Sequence, residues 1–324
     1  MCSLPAFVVG IFHDLRDTVA PRGRLLATAV SAALAYFFLG AAIRETDIPW
    51  LDLVVAVPAG AFMITVFAVA GISNAMNVID GLNGLASMCA LMMLLALAYG
   101  GYQAHDEAVT TLALAGAGAV LGFFVWNFPG GLLFLGDGGA YFLGFYVAEV
   151  ALLLLVRNPE VSPLFPLLVC IYPVFETVFS IYRRFIRKGQ NPVKADGIHL
   201  HSLLFRRMMR WAVGARTARQ MTRGNSLTSP LLWLLCLLSV LPAMAFWDDS
   251  RAQALFIVLF GVTYVILYWR IVRFRTPNWF HRGKRRLLLR LHSREVPVKS
   301  RGLQMHEKRD RAATSENWDS GRGR

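Results

Sequence analysis

"NAMNVIDGLNGLA", residues 74–86, decides how this chain is read. Asn74, Asn77 and Asp80, then Gly81, Asn83 and Gly84, interrupt sequence that is apolar on both sides, over about 53–72 and 85–100. As helices, flanks of that length approach the roughly 30 Å of a hydrocarbon core. A polar, glycine-bearing connection between two such segments is the turn of a helical hairpin that crosses a membrane.

Working outward, the composition agrees. Of 324 residues, 56% are hydrophobic and only 16% charged, with a mean hydropathy of +0.49, well beyond the balance of a soluble domain. Apolar runs at about 25–43, 53–72, 85–100, 108–126, 139–156, 163–182, 230–247 and 253–270 predict an all-α, polytopic bundle of about eight spans. The transmembrane domain is expected over 1–270, with a long loop at 183–229, and a basic tail over 271–324 whose last nine residues lack the composition of a packed segment. "LPAFVVGIF", residues 4–12, reads as the inner end of a helix whose beginning is missing.

The net charge of +13 is explained by where the cations fall. With the loop after the first span outside, only Arg44, Arg157 and Arg251 of the 33 Lys and Arg are external. Such asymmetry places both termini in the cytoplasm, and anionic lipid head groups account for the basic segments without nucleic acid. A nucleic-acid binder would need a folded basic domain with base-stacking aromatics. Cys89, Cys170 and Cys236 fall within predicted spans and read as small buried hydrophobes.

The loops differ by side. External ones are bland, whereas "HDLRD" (13–17), "NAMNVIDGLNG" (74–84), "WNFPGGLLFLGDGGA" (126–140) and "ADGIHLHS" (195–202) all fall on the inner face. Asp14, Asp80 and Asp137 lie close to the lipid boundary, where ionisable groups are costly and tend to serve function. Carboxylates beside amide oxygens are hard donors that suit Mg²⁺, which normally bridges to substrate phosphates. His199 and His201, two residues apart, would not share a face of a helix; with Arg183, Arg184, Arg206 and Arg207 they can neutralise phosphate. "LLFRRMMRW" (203–211) suits a helix lying on the membrane surface. A transporter would carry charge near the midplane, where only Glu149 and Glu176 stand out: each reads as a structural pair or a snorkelling group, with Glu149 alternatively solvated near the outer end of its helix.

In order and in kind, "NAMNVIDGLNGLA", "FLGDGGAYFLGF" (134–145) and "HLHS" resemble the polyprenyl-phosphate N-acetylhexosamine-1-phosphate transferases, over roughly residues 4–270. The resemblance implies attack by undecaprenyl phosphate on the β-phosphate of a UDP-N-acetylhexosamine, with loss of UMP, at the cytoplasmic face of the bacterial inner membrane. It implies Mg²⁺, with Mn²⁺ as the alternative, held by Asp137 and Asn77. Asp14, Asp137, His199 and His201 take the catalytic positions, Asp14 as the group that deprotonates or positions the lipid phosphate. Asn74, Asn77, Asp80, Asn83 and Asn127 take the substrate-lining ones. Membrane lipid is a partner, nucleic acid is not, and a homodimer is left open. UDP-N-acetylglucosamine is the first choice of sugar, for a surface polysaccharide. Departures are His13 for the first aspartate of a pair, Asn83 for an aspartate, Ser202 for a third histidine, and about two helices that the family has before "VVGIFHD". A shortened or inactive relative that only binds lipid or partners is therefore the rival reading, and a transporter the third.

Overall fold

The computed structural model describes residues 1–184, 199–211 and 218–273, and all its regular elements are helices. In chain order they are α1 (Leu4–Arg16), α2 (Pro21–Leu39), α3 (Pro49–Val55), α4 (Pro58–Ile79), α5 (Leu85–Gln103), α6 (Glu107–Asn127), α7 (Gly136–Arg157), α8 (Phe165–Val169), α9 (Ile171–Tyr182), α10 (Leu200–Trp211), α11 (Ala218–Ala245) and α12 (Ser250–Arg273). The predicted basic tail lies outside the described residues beyond Arg273.

Local chemistry sets the boundaries. Pro21, Pro49 and Pro58 open α2, α3 and α4, where a missing N–H costs nothing and φ is already helical. Asp106 caps α6 by accepting from the backbone N–H groups of Ala108 and Val109. Gly84 (φ +74°), immediately before α5, and Gly136 (φ +68°), the first residue of α7, take the left-handed conformation.

Among the described residues, seven helices are long and apolar enough to cross a membrane: α2, α4, α5, α6, α7, α12 and the Gly224–Ala245 part of α11. The eighth expected span, 163–182, is instead divided into α8 and α9 at Cys170. Pro173 has no N–H to return to the carbonyl of Val169, so a single unbroken ladder cannot form there. The expected 53–72 span starts later for a similar reason, with Pro58 separating α3 from α4.

The bundle is a membrane solid with its apolar side chains on both the inside and the outside. Cys89, Ala90, Met93, Leu94 and Leu97 of α5 are fully buried against α6, α7 and α11. Meanwhile Leu112, Leu114, Leu121 and Val125 of α6 and Leu255, Val258, Val262 and Ile266 of α12 are exposed. An apolar exterior on this scale would be untenable in water and is what lipid requires. Since lipid supplies no hydrophobic drive between helices, close packing must, through small residues. A Cβ on Gly10 of α1 would strike the backbone of Gly138 of α7, and one on Gly144 would meet Ser73 at 2.7 Å.

Glu149 corrects one expectation. It lies about 12 Å inside the Arg157 end of α7, is 6% exposed rather than solvated, and sits among the stripe that includes Phe145, Ala148 and Leu152.

Candidate functional site

The polar clusters of the sequence meet at one end of the bundle, the fourth through His199–Ser202 since 195–198 lie outside the described residues, and α7 organises them. Its first turn carries Asp137, behind Gly136. Asp14, at the end of α1, accepts from the backbone N–H of Asp137 at 2.9 Å and of Gly138 at 3.1 Å. This is helix capping across elements: a carboxylate from α1 satisfies two orphan donors of α7 and sits at the positive end of its dipole. The Gly10–Gly138 contact makes the approach possible, because side chains there would force the two helices apart. Thus Asp14 has a task that the motif alone did not show, namely fixing the turn that presents Asp137.

Asp137 in turn draws in three neighbours. Asn77, in the last turn of α4, donates its amide to Asp137 Oδ1 at 2.9 Å. Arg24, in the first turn of α2, donates to Asp137 Oδ2, and His13 Nε2 stands 3.8 Å from the same oxygen. Asn74 lies one turn back from Asn77, where it donates to Thr28 Oγ1 at 2.9 Å and to the carbonyl of Ala70. Sequence reasoning passed over Arg24. A cation in the first turn of a helix opposes the dipole, and that misplacement was the available sign that an anion waits beside it.

Asp80 ends α4 and faces the other two acids. Burial, with repulsion from Asp137 and then Asp14, pushes its carboxyl up to about 7. Three carboxylates therefore share a region that disfavours their simultaneous charge.

The next residues form a turn that is held from several sides. The N–H of Gly84 donates to Asn127 Oδ1 at 2.5 Å, while Asn127 donates its own amide to the carbonyl of Leu133. The N–H of Asn83 donates to Asn225 Oδ1 at 2.7 Å, and its carbonyl accepts from the Ser229 hydroxyl at 2.6 Å. Trp233 Nε1 donates to the carbonyl of Gly84, whose Cα lies under the ring of Phe128. Asn83 and Asn127 are 6% and 5% exposed. In this structure their amides brace the turn between α4 and α5, with α6 and α11 as the outer clamps.

The histidines close the site. His201 is buried with its ring directly over Gly81, where any Cβ would collide with Nε2. Its imidazole stacks on that of His199, with ring centroids 5.4 Å apart and planes within 4°. The expectation that the two would not face one another fails because His199 precedes the first helical residue of α10, Leu200, and is not bound by helical spacing. Burial drives His201 down to about 4, despite the opposing pull of the Glu176 carboxylate, so it is neutral near pH 7.

Among the described residues no three His, Cys, Asp or Glu side chains form a ready-made metal site. Mg²⁺ does not need one: it binds through one or two carboxylates and completes its octahedron with water and substrate phosphate. The crowding of Asp80, Asp137 and Asp14 fits such a cation.

A helical membrane bundle that gathers acids, amides, an arginine and a histidine pair at one end has the equipment of a phosphate-handling membrane enzyme. Residues 1–155 match the family model for glycosyl transferase family 4. The chain is 31% identical over 212 residues to the undecaprenyl-phosphate alpha-N-acetylglucosaminyl 1-phosphate transferase of Thermotoga maritima, covering 64% of this chain and 62% of that one. It is 32% identical over 146 residues to the probable undecaprenyl-phosphate N-acetylglucosaminyl 1-phosphate transferase of Bacillus subtilis, covering 44% and 40%. It is also 30% identical over 212 residues to a phospho-N-acetylmuramoyl-pentapeptide-transferase of Clostridium botulinum, covering 61% and 63%. The chain thus spans less than two thirds of the length of these curated relatives.

Proposed function

We propose that this protein transfers N-acetylhexosamine 1-phosphate from a UDP-sugar to undecaprenyl phosphate, releasing UMP, at the cytoplasmic face of the bacterial inner membrane. The observation that carries the reading is the convergence of Asp14, Asn77, Asp80 and Asp137, with His201 roofing Gly81, at one end of an apolar bundle. Relatives named for undecaprenyl-phosphate transfer support it.

In this reaction an oxygen of the lipid phosphate bonds to the β-phosphorus of the UDP-sugar, and the bridging oxygen leaves with UMP. The protein's work is alignment and neutralisation of charge. Asp137 and Asn77 would hold Mg²⁺, which when bound neutralises the diphosphate and supports the leaving UMP. Arg24 lies beside Asp137, ready to meet a phosphate oxygen. Asp14 keeps the first turn of α7 in place, so the orientation of Asp137 is set before substrate arrives. The turn at 81–84 supplies a wall free of side chains at Gly81, against the neutral His201.

UDP-N-acetylglucosamine is the sugar most in keeping with the first relatives, and a surface polysaccharide is the destination. The test is UMP release by membranes holding the chain, given undecaprenyl phosphate, Mg²⁺ and a panel of UDP-N-acetylhexosamines. Release that requires Mg²⁺ and Asp137 supports the transferase; lipid binding with no UMP under any condition would leave the inactive relative standing instead.

A further inference from the structure

Glu176 is the most completely buried acid of the bundle, 1% exposed, and the transferase reading gives it no role. It lies on α9, in the half of the broken span nearest the polar end. Its Oε1 accepts from the backbone N–H of Leu200 at 2.7 Å, the opening residue of α10, and stands 3.5 Å from His199 Nδ1. Its Oε2 accepts from the hydroxyl of Tyr264 on α12 at 2.7 Å. The ionisable groups facing it are His199, His201, Tyr264 and, one turn earlier on α9, Tyr172.

A buried carboxylate needs a compensating charge as well as hydrogen bonds. Tyr264 and Leu200 supply neutral donors; of the two imidazoles, His199 lies against the carboxylate, and His201 is turned to Gly81. A carboxylate beside one nitrogen of an imidazole orients the ring and stabilises its protonated form. Two parallel stacked imidazoles also repel if both are charged, so the geometry disfavours the doubly protonated pair.

We propose that Glu176 is a positioning residue that divides the histidine pair: it holds His199 as the cation offered to the diphosphate and leaves His201 as the neutral partner. The inference rests on the transferase reading, since it concerns how the same site receives a diphosphate. The device parallels the opposite side of the site: Asp14 and Glu176 each reach from another helix to the first N–H groups of the element they position, α7 and α10.

The test compares UDP with uridine as ligands of the full chain in detergent with Mg²⁺, by equilibrium binding. The wild type should prefer UDP. Glu176→Gln, which keeps an acceptor for Leu200 and lets the Tyr264 hydroxyl accept from the new amide N–H, removes the charge and should weaken UDP by about tenfold while leaving uridine unchanged. Tyr264→Phe, a probe of bracing alone, should leave the UDP-to-uridine ratio intact. Adding Glu176→Gln to His199→Gln should cost nothing further, because both act through one ring. An unchanged ratio in Glu176→Gln, or additive losses in the double variant, overturns the inference while the function stands. A wild type that does not distinguish UDP from uridine removes the function and the inference together. If Glu176→Gln does not fold, histidine-selective ¹⁵N spectra of the wild type decide: one imidazolium and one neutral ring at this pair support the proposal, and two rings in the same state refute it.

Discussion

Asp80 and Asp106 are the same residue at two ends of the bundle, and the fold drives them in opposite directions. Asp106 caps α6, and the side chain of Arg157 donates to it at 2.6 Å, with Asn158 adding an amide at 3.2 Å. The Arg157 guanidinium first, helped by these donors, holds its carboxyl down at about 2. Asp80 has burial and two like charges instead, and is pushed up to about 7. At the Asp106 end both oxygens of the capping carboxylate have donors. At the Asp80 end, His13 Nδ1, Arg24 Nε and His201 Nδ1 are buried without a hydrogen-bond partner among the described residues. A region built for stability satisfies its polar groups internally, whereas one built for a ligand leaves some unmatched.

The sharpest way to break this contrast is Asp137→Asn. It should lower UMP release by about 10²- to 10³-fold while thermal unfolding of the purified protein barely moves; retained turnover would take Asp137 out of the chemistry. Asp14→Ala should affect both properties, costing about 1–2 kcal/mol through the lost cap on α7 and most of the activity through a displaced Asp137. Melting curves and UMP assays on the same preparation check this, and Asp14→Asn, which keeps an acceptor, should recover part of each.

Next in size is Asp106→Asn at the opposite end, expected to destabilise by about 1 kcal/mol with turnover unchanged. Because the folded carboxyl titrates below its usual 3.8, its contribution is present above about pH 4 and is lost as pH falls toward 2. The gap between wild type and variant should therefore close over that window in acid unfolding. Asp80→Asn should act on stability with the reverse sign. A carboxyl raised to about 7 costs the fold stability as pH rises from about 4 through 7, so removing it should raise the melting point of the Mg²⁺-free protein at pH 8 and leave it unchanged at pH 4. A fall at pH 8 would show that Asp80 is paired rather than crowded.

Much of this was legible because hydropathy and loop side are written in short stretches of sequence. The spans, their all-helical character and the gathering of Asp14, Asn77, Asp80, Asp137 and the histidines at one end could be read from where polar residues interrupt apolar runs. Interactions between distant segments could not. The loops holding Asn83 and Asn127 were visible, but Asn225 and Ser229, which help clamp the turn, lie some 140 residues further on. Arg24 looked like one more inner-face cation, and Glu176 like a structural exception, because the contacts that define them come from α7, α10 and α12. The expected stretch 163–182 is two helices and not one because hydropathy does not register the hydrogen bond that Pro173 cannot make.

The contact between Gly10 and Gly138 has a consequence for reading natural variation in this chain. Gly10 stands four residues before Asp14 on the same ridge of α1, so a methyl group there would lift the carboxylate from α7. A substitution carrying no charge and touching no substrate would then give the phenotype of a lost active-site acid. In a screen for inactive alleles, Gly10 and Gly138 should score beside Asp14 and Asp137, and a tally of polar residues alone would miss half of that list.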